Sequence, residues 1–490
     1  MQETTPKRPS YEELEAENLR LKFEIINLKK VIFGQRRERF IPAVSPEQMI
    51  FSEFDALEEV SVKTEQISYT RSKRKRNHTP HARQLLPAHL PRKEIVIEPE
   101  EDITGLKKIG EEVTEELEFK PGKFYVNRFI RPKYALPEDA GVIIGNLPTR
   151  PIEKGIAGPG LLAHILIGKF VDHLPLYRQR KQFLRQKVDI PETTLYGWVK
   201  SCYTLLWPLY EAQKSQVLGS DYLMVDETPI KVLDPGNKPG TTHQGYYWVY
   251  YDPVHRQVFF DYRPSRSREG PNEILAGFSG YIQTDGYTGY EEISRKKDIT
   301  PVGCMAHARR YFVEAENSDP ERANWMLHHL QILYRMERHS RDSGFSHDQR
   351  FAQRISEASV VMNVIKDWLD HESLKVLPKS AMGKAIGYML NQWPRLERYI
   401  TDGKLEIDNN PVENAIRPVA LGRKNYLFAG SHSGAEQAAL IYTMVSNAKL
   451  QNAEPFEYLR DVIHRISDHP HKQIDELLAC NWKPVLSSEA

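Results

Sequence analysis

The sequence predicts a multidomain α/β protein. Its mixed-sheet central part carries a helical insertion and follows a heptad helix, a small β unit and a helical region. Three observations predict this. Between residues 220 and 305 short β-branched and aromatic runs recur with period two, in the order three strands, then strand, helix and strand. Residues 307–400 change to a helical period and are long enough to be an insertion. A chain of 490 residues also exceeds the size at which a single core stops growing, so two to four domains are expected.

Bulk properties exclude more than they assign. The 67 Lys+Arg and 66 Asp+Glu leave a net charge of +1, which says nothing about partners. Locally, residues 71–93 carry eight Lys/Arg and no acid, whereas 98–118 carry nine Asp/Glu against two Lys. Cys202, Cys304 and Cys480 are far apart and odd in number, fitting a reducing compartment without a disulfide framework. No apolar run reaches the ~18 residues of a membrane span. The polar start Met-Gln-Glu-Thr-Thr-Pro-Lys-Arg lacks the apolar core of a secretion signal, so a soluble cytoplasmic protein is expected.

Within residues 1–40, the stretch 11–35 has a heptad with Leu14, Leu21 and Leu28 on one seam and Tyr11, Asn18, Ile25 and Ile32 on the other. Leu at d, Ile at a and one Asn at a favour a parallel two-stranded coiled coil; a helix packed on its own chain is the alternative. Residues 41–85 read as a linker. Its basic run 71–76, with Arg74, Lys75 and Arg76, either neutralises DNA phosphates or is simply solvated. In 86–140, alternation over 94–97 and 123–131 suggests a small antiparallel β unit, followed by a Gly- and Pro-rich linker over 136–160. Residues 141–215 are helical, with a basic stretch containing Arg178, Arg180 and Lys181. A helix then starts near Pro191, directs Leu195, Trp198 and Val199 inward and exposes Thr193, Thr194 and Lys200. This suits a helix-turn-helix reader of the major groove, or a helical hairpin that binds nothing.

Residues 216–450 form the expected catalytic part. Candidate strands are 222–225, 246–251, 257–262, 281–284 and 300–304, with helices around 271–277 and from about Ala306. The insertion covers about 310–400, and a long helix over 434–450 presents Ala438, Ile441, Tyr442 and Val445 inward. The tail, 451–490, adds one or two short helices.

Three acids carry the chemistry. Asp226 ends an apolar run in Tyr-Leu-Met-Val-Asp-Glu-Thr (222–228), and Asp285 ends another in Tyr-Ile-Gln-Thr-Asp-Gly-Tyr (281–287). Glu413 opens a helix in Asp-Asn-Asn-Pro-Val-Glu-Asn-Ala-Ile-Arg-Pro (408–418). Carboxylates at the ends of neighbouring strands, joined by one from a helix, can hold two divalent metals for phosphoryl transfer. The structural alternatives are turns at both Asp residues, and a capping box with Asn410 as cap, Pro411 at N1 and Glu413 at N3. Arg417, Arg423 and Lys424 would offer phosphate contacts beside the third acid. His307 and Arg310 share a helix face just after a core strand, near the same place. P-loop, dinucleotide-binding and His-Glu-x-x-His motifs are absent.

At these residues the chain resembles the TnpC-type transposases of the insertion-sequence-66 family, DDE enzymes with an RNase H-like catalytic fold. The matching segments are 225–228, 281–290, Cys-Met-Ala-His-Ala-Arg-Arg (304–310), 408–418 and Leu-Gly-Arg-Lys-Asn-Tyr-Leu-Phe-Ala-Gly (421–430). Leu-Pro-Leu-Tyr-Arg-Gln (174–179) is similar to the family's DNA-binding region. The resemblance implies that Asp226, Asp285 and Glu413 are a catalytic, metal-binding triad using two Mg²⁺ or Mn²⁺ ions. It implies a DNA transposase that binds terminal inverted repeats and target DNA as a homodimer or higher oligomer. Two smaller accessory proteins and a nucleoid-associated location follow from the same resemblance. A repressor with a dispensable catalytic fold and an RNase H-like nuclease without strand transfer are the rival readings. One departure is plain. Similar proteins carry a zinc module built on cysteine pairs, whereas 86–135 has no cysteine and one histidine, His89. No zinc is expected there, and a packed β core is expected to replace it.

Overall fold

The structure is a computed structural model. The chain divides into two units, Met1–Val113 and Thr114–Ala490. The described residues all lie in the second: 148–484 except 154, 235 and 237–240, together with 122, 124–130, 133–135 and 142–144. The heptad helix, the basic run and most of the expected β unit lie outside them.

In the β unit the outcome differs from the expectation. Residues 124–130 have no sheet partner among the described residues, and Tyr125, Phe129 and Ile130 are exposed, with Val126 at 91%. These side chains therefore do not form the packed β core expected in place of zinc; Phe124 instead packs edge-on against Phe183 at 5.1 Å. Pairing occurs further on, between β1 (Lys133–Ala135) and β2 (Val142–Ile144), antiparallel with Tyr134 opposite Ile143.

Three helices follow: α1 (Pro159–Phe170), α2 (Leu176–Arg185) and α3 (Glu192–Leu218). As expected, α3 starts directly after Pro191 and buries Leu195, Trp198 and Val199. The central sheet contains β3 (Tyr222–Val232), β4 (His243–Asp252), β5 (Gln257–Arg263), β6 (Gly280–Gln283) and β7 (Ile299–Val302). Helices α4 (Glu269–Ile274) and α5 (Glu291–Ser294) make the crossovers to β6 and β7. The strand order is β5-β4-β3-β6-β7; the first three are antiparallel, and β6 and β7 run parallel to β3. The mixed α/β order read from the sequence is the order observed. Residues Tyr247 to Asp252 of β4 are buried without alternation, so both faces of the sheet are covered.

The sequence ends the first strand before Asp226, but β3 continues to Val232. Its antiparallel partner β4 accompanies it from Met224 to Val232, whereas β6 leaves after Met224. The Pro229 carbonyl accepts a hydrogen bond from Arg423, away from β4. The Pro229 nitrogen faces the same way, so its missing N–H costs no ladder bond.

The insertion consists of α6 (Met305–Ala315), α7 (Pro320–Asp342), α8 (His347–Gln353), a π-turn over Arg354–Ala358, α9 (Ser359–Ser373) and α10 (Ala381–Leu396). It has its own core around Phe312, Leu330, Leu333, Ile365, Met389 and Trp393. The chain returns through α11 (Asn410–Tyr426), α12 (His432–Leu450) and α13 (Pro455–Arg465). One hydrophobic core joins α1–α3, the sheet, α12 and α13. Helix α12 also satisfies the outer edge of β5. Asn447 accepts from the Val258 N–H at 3.0 Å and donates to its carbonyl at 2.7 Å, and Thr443 accepts from the Phe260 N–H at 3.0 Å. An otherwise bare sheet edge is thereby closed. No helix among the described residues is long and apolar enough to cross a membrane.

A buried ion cluster fastens the return segment to the insertion. Arg354 donates to both oxygens of Glu337 at 2.8 Å and to the carbonyls of Tyr399, Asp402 and Leu405 at 2.7–2.8 Å. Arg350 bridges Glu337 and Glu406, each at 3.0 Å. Burial pushes the Glu337 carboxyl up, but the hydrogen bonds and charges of Arg354 and Arg350 outweigh it and hold it below its ordinary value. Arg354→Met should therefore leave a buried carboxylate half-paired, the Tyr399 carbonyl without its side-chain donor, and the Asp402 and Leu405 carbonyls with one donor fewer. A loss of about 3–5 kcal/mol in urea unfolding is expected; a loss under about 1 kcal/mol would contradict the clamp.

Candidate active site

The parallel pairing of β3 with β6 brings two of the acids together. Tyr222 lies opposite Tyr281, Leu223 opposite Ile282 and Met224 opposite Gln283. Asp226 and Asp285 each stand two residues beyond the last pair. Continuing that register by two residues sets Asp285, in the loop after β6, level with Asp226 on β3, near enough that its charge helps raise the Asp226 carboxyl. The Asp226 carboxylate accepts from the Glu227 N–H at 2.8 Å, and that of Asp285 from the Tyr287 N–H at 2.8 Å. Gly286, with φ at +88°, permits the turn that follows. The insertion reaches the same loop: Tyr388 on α10 donates to the Asp285 carbonyl at 2.8 Å.

Glu413 arrives on α11, whose start is anchored by fully buried Asn409. The Asn409 N–H donates to Cys304 Sγ at 3.2 Å, and its side-chain amide donates to the Val225 carbonyl at 3.4 Å, one residue before Asp226. The capping box, the structural alternative for Glu413, is not formed. Asn409, not Asn410, is the N-cap, and Glu413 lies one position beyond N3. Asp408 instead accepts from the Asn410 N–H at 3.1 Å and from its side-chain amide at 2.8 Å. Glu413 stands in the first turn of α11. His307 Nε2 lies 3.9 Å from its Oε1.

Electrostatics register the convergence of the three acids. Burial, then Glu227, Asp285 and Glu413, raises the Asp226 carboxyl well above its ordinary range. Burial first, with Asp408 and Asp285 adding and Arg310 opposing, pushes Glu413 up to about 7. Burial also pushes Asp408 up to about 6, and burial and Arg310 push His307 down to about 4. Acids that crowd one another in this way favour a cation between them. Among the described residues, no three His, Cys, Asp or Glu side chains stand close enough together to hold a metal ion.

The remaining sequence-expected residues are spread over other elements. Arg178 and Lys181 on α2 and Lys200 on α3 are exposed, as are Arg417 and Lys424 on α11. Arg180 is paired with Asp189 at 3.0 Å, and half-buried Arg423 donates to the Pro229 carbonyl. Half-buried Arg310 joins the acids through the field that lowers Glu413. Arg74, Lys75 and Arg76 lie outside the described residues. Sequence reasoning missed Glu227, Asn409, Asp408 and Tyr388. The first three sit inside the quoted motifs, but adjacency alone does not say which face a side chain takes.

The raised Glu413 carboxyl has a measurable consequence without metal. A folded-state pKa above the ordinary 4.5 means that the folded protein holds the proton, so this group's contribution is lost as pH rises from 4.5 to about 7. In chelated buffer Glu413→Gln should match the wild type near pH 4.5 and become progressively more stable than it toward pH 7. A stability difference that stays constant across this window would contradict the assignment.

Comparison with known proteins gives the family. The model described as "Transposase IS66 family" matches residues 154–437. Models described as "Transposase C of IS166 homeodomain", "zinc-finger binding domain of transposase IS66" and "IS66 C-terminal element" match 20–95, 102–136 and 443–479. Protein y4jD of Sinorhizobium fredii (strain NBRC 101917 / NGR234) is 33% identical over 495 residues, covering 96% of each chain. Protein y4qI of the same strain is 34% identical, covering 93% of this chain and 88% of its own. A structure titled "Mos1 transposase paired-end complex with left transposon end" matches at 12% identity over 52% of this chain and 80% of its own, with a TM-score of 0.13, too slight a likeness to argue from. The chain belongs to the IS66 transposase family.

Proposed function

We propose that this protein binds the terminal inverted repeats of its own element and catalyses metal-dependent DNA cleavage and strand transfer, with Asp226, Asp285 and Glu413 as the catalytic triad. The observation that supports the reading is the register of β3 and β6, which leads Asp226 and Asp285 to the same level, together with the Asn409 bond that ties the helix of Glu413 to β3. The strand order, three antiparallel strands followed by two parallel to the first, agrees with the RNase H-like fold that the family resemblance implies.

The donor set fits the expected metal. All three groups offer hard carboxylate oxygens, which suit Mg²⁺ or Mn²⁺, and they repel one another when no cation is bound. Two ions held there would supply an activated nucleophile and stabilise the departing oxygen. Water attacks the phosphodiester at the element end in line, and the freed 3′-hydroxyl then attacks target DNA in the same manner. Arg310, close enough to lower Glu413, offers a guanidinium to the phosphate undergoing attack. Arg178, Lys181, Lys200, Arg417 and Lys424 are exposed cations suited to phosphate contacts that position DNA without reading its sequence.

Assembly through residues 11–35 and the two accessory proteins belong to the same proposal, from the heptad and the family respectively. Zinc does not. Residues 102–136 contain neither cysteine nor histidine, so the four ligands of a structural site cannot come from that stretch.

Cleavage of DNA carrying the neighbouring repeats, with mapping of the cut phosphates, tests the reading. Asp226→Asn, Asp285→Asn and Glu413→Gln should each lower cleavage by on the order of 10³-fold or more, because the groups act as a unit. Repeat binding should remain largely intact. Wild-type rates in any one variant would remove that residue from the site, and cleavage without joined product would favour a nuclease.

A further inference from the structure

Glu227 is a buried carboxylate that the proposed chemistry leaves unused. It follows Asp226 on β3, so it leaves the opposite face of the strand. Its side chain is only 3% exposed. One oxygen accepts from Arg266, whose Nε lies at 2.7 Å, and the other accepts from the Tyr290 hydroxyl at 2.7 Å. Three of its roughly four acceptor sites are thereby taken by the protein.

Both of its partners grip the loop that carries Asp285. Tyr290 closes that loop, its N–H donating to the Tyr287 carbonyl at 3.1 Å. Its ring is buried edge-on against Trp248 at 5.7 Å. The Arg266 guanidinium lies 3.8 Å from the centre of the Tyr287 ring, and Tyr287 is the residue whose N–H holds the Asp285 carboxylate. The loop is tight: a Cβ on Gly289 would meet the Tyr287 ring at 2.3 Å. Glu227 therefore ties the strand of the first acid to the loop of the second by two routes, through Tyr290 and through Arg266–Tyr287.

We propose that Glu227 is a positioning residue: it clamps the Asp285 loop to β3 and sets the separation of Asp226 and Asp285 for metal binding, without touching the metal. This rests on the proposed role of the two aspartates. The clamp acts as an outer shell does in other metal sites, where removal of a supporting contact typically costs about 10–100-fold in metal affinity.

The test is a Mn²⁺ titration of the full-length chain, followed by electron paramagnetic resonance without DNA, for wild type, Asp226→Asn, Glu227→Gln and Tyr290→Phe. Melting curves are taken alongside. Glu227→Gln should weaken binding roughly 10–100-fold while Mn²⁺ at high concentration restores occupancy. Tyr290→Phe, which removes one hydroxyl only, should shift binding in the same direction by less. Combining them should add little to Glu227→Gln alone, because one loop is released in both. Unchanged affinity in Glu227→Gln and Tyr290→Phe, with Asp226-dependent binding in the wild type, overturns the clamp alone. Binding abolished in Glu227→Gln at every concentration would make Glu227 a ligand and overturn the positioning role. If Glu227→Gln does not fold, Tyr290→Phe decides: weaker binding at unchanged melting temperature supports the clamp, and unchanged binding overturns it. Wild-type binding that does not depend on Asp226, or no binding at all, removes the metal site and the clamp with it.

Discussion

The site depends on one short piece of backbone pairing, the three parallel residue pairs between β3 and β6. A slip of one residue would turn one aspartate to the opposite face and separate the pair. The register is held by a buried polar hub. Gln283, with no exposed surface, accepts from the Tyr222 hydroxyl across the pair and donates to the carbonyls of Gly303 at 2.8 Å and Glu406 at 2.9 Å. The Glu406 N–H in turn donates to the Tyr222 hydroxyl at 3.0 Å. One side chain thus joins both central strands, the end of β7 and the segment that leads to α11. Buried polar groups are costly unless satisfied, and a shifted strand would leave several of these unsatisfied at once.

The third acid comes from far along the chain, and the insertion governs how it returns. Residues 305–407 fold around a separate core, so the path from β7 to α11 runs through a body with its own packing. Two contacts make that detour precise at its end. The Arg354–Glu337–Arg350 cluster grips the carbonyls and the carboxylate of 399–406, and Asn409 then fastens the chain to Cys304 and Val225. The insertion also touches the second acid directly, through Tyr388 on the Asp285 carbonyl. Its helices are therefore part of how the acids are held, although none of the three lies on them.

Much of this was legible in the sequence, because the relevant signals are local. Period-two runs marked five strands, four of them close to their observed limits and the first ending seven residues short of Val232, and the change of period marked the insertion. The motifs around Asp226, Asp285 and Glu413 contain acids whose charges act on one another in the folded chain. What was not legible needed partners from elsewhere in the chain. Alternation over 123–131 resembles a strand, but a strand needs a neighbour, and residues 124–130 have none among the described residues. The Asp-Glu-Thr-Pro stretch reads as a turn, yet β4 continues alongside it and Arg423 takes the outward Pro229 carbonyl. Asn-Pro-x-Glu reads as a capping box, but Asn409 is drawn to Val225 and the cap moves back by one residue. In each case a contact distant in sequence overrode a sound local preference.

The central claim is that Asp226, Asp285 and Glu413 together hold catalytic divalent metal. The most direct measurement is anomalous diffraction from crystals of the full-length protein soaked in Mn²⁺. The account predicts density between the Asp226 and Asp285 carboxylates, with Glu413 completing the site, and its loss in Asp226→Asn. A fully occupied ion elsewhere with none between these carboxylates, or density there that survives Asp226→Asn, would contradict it.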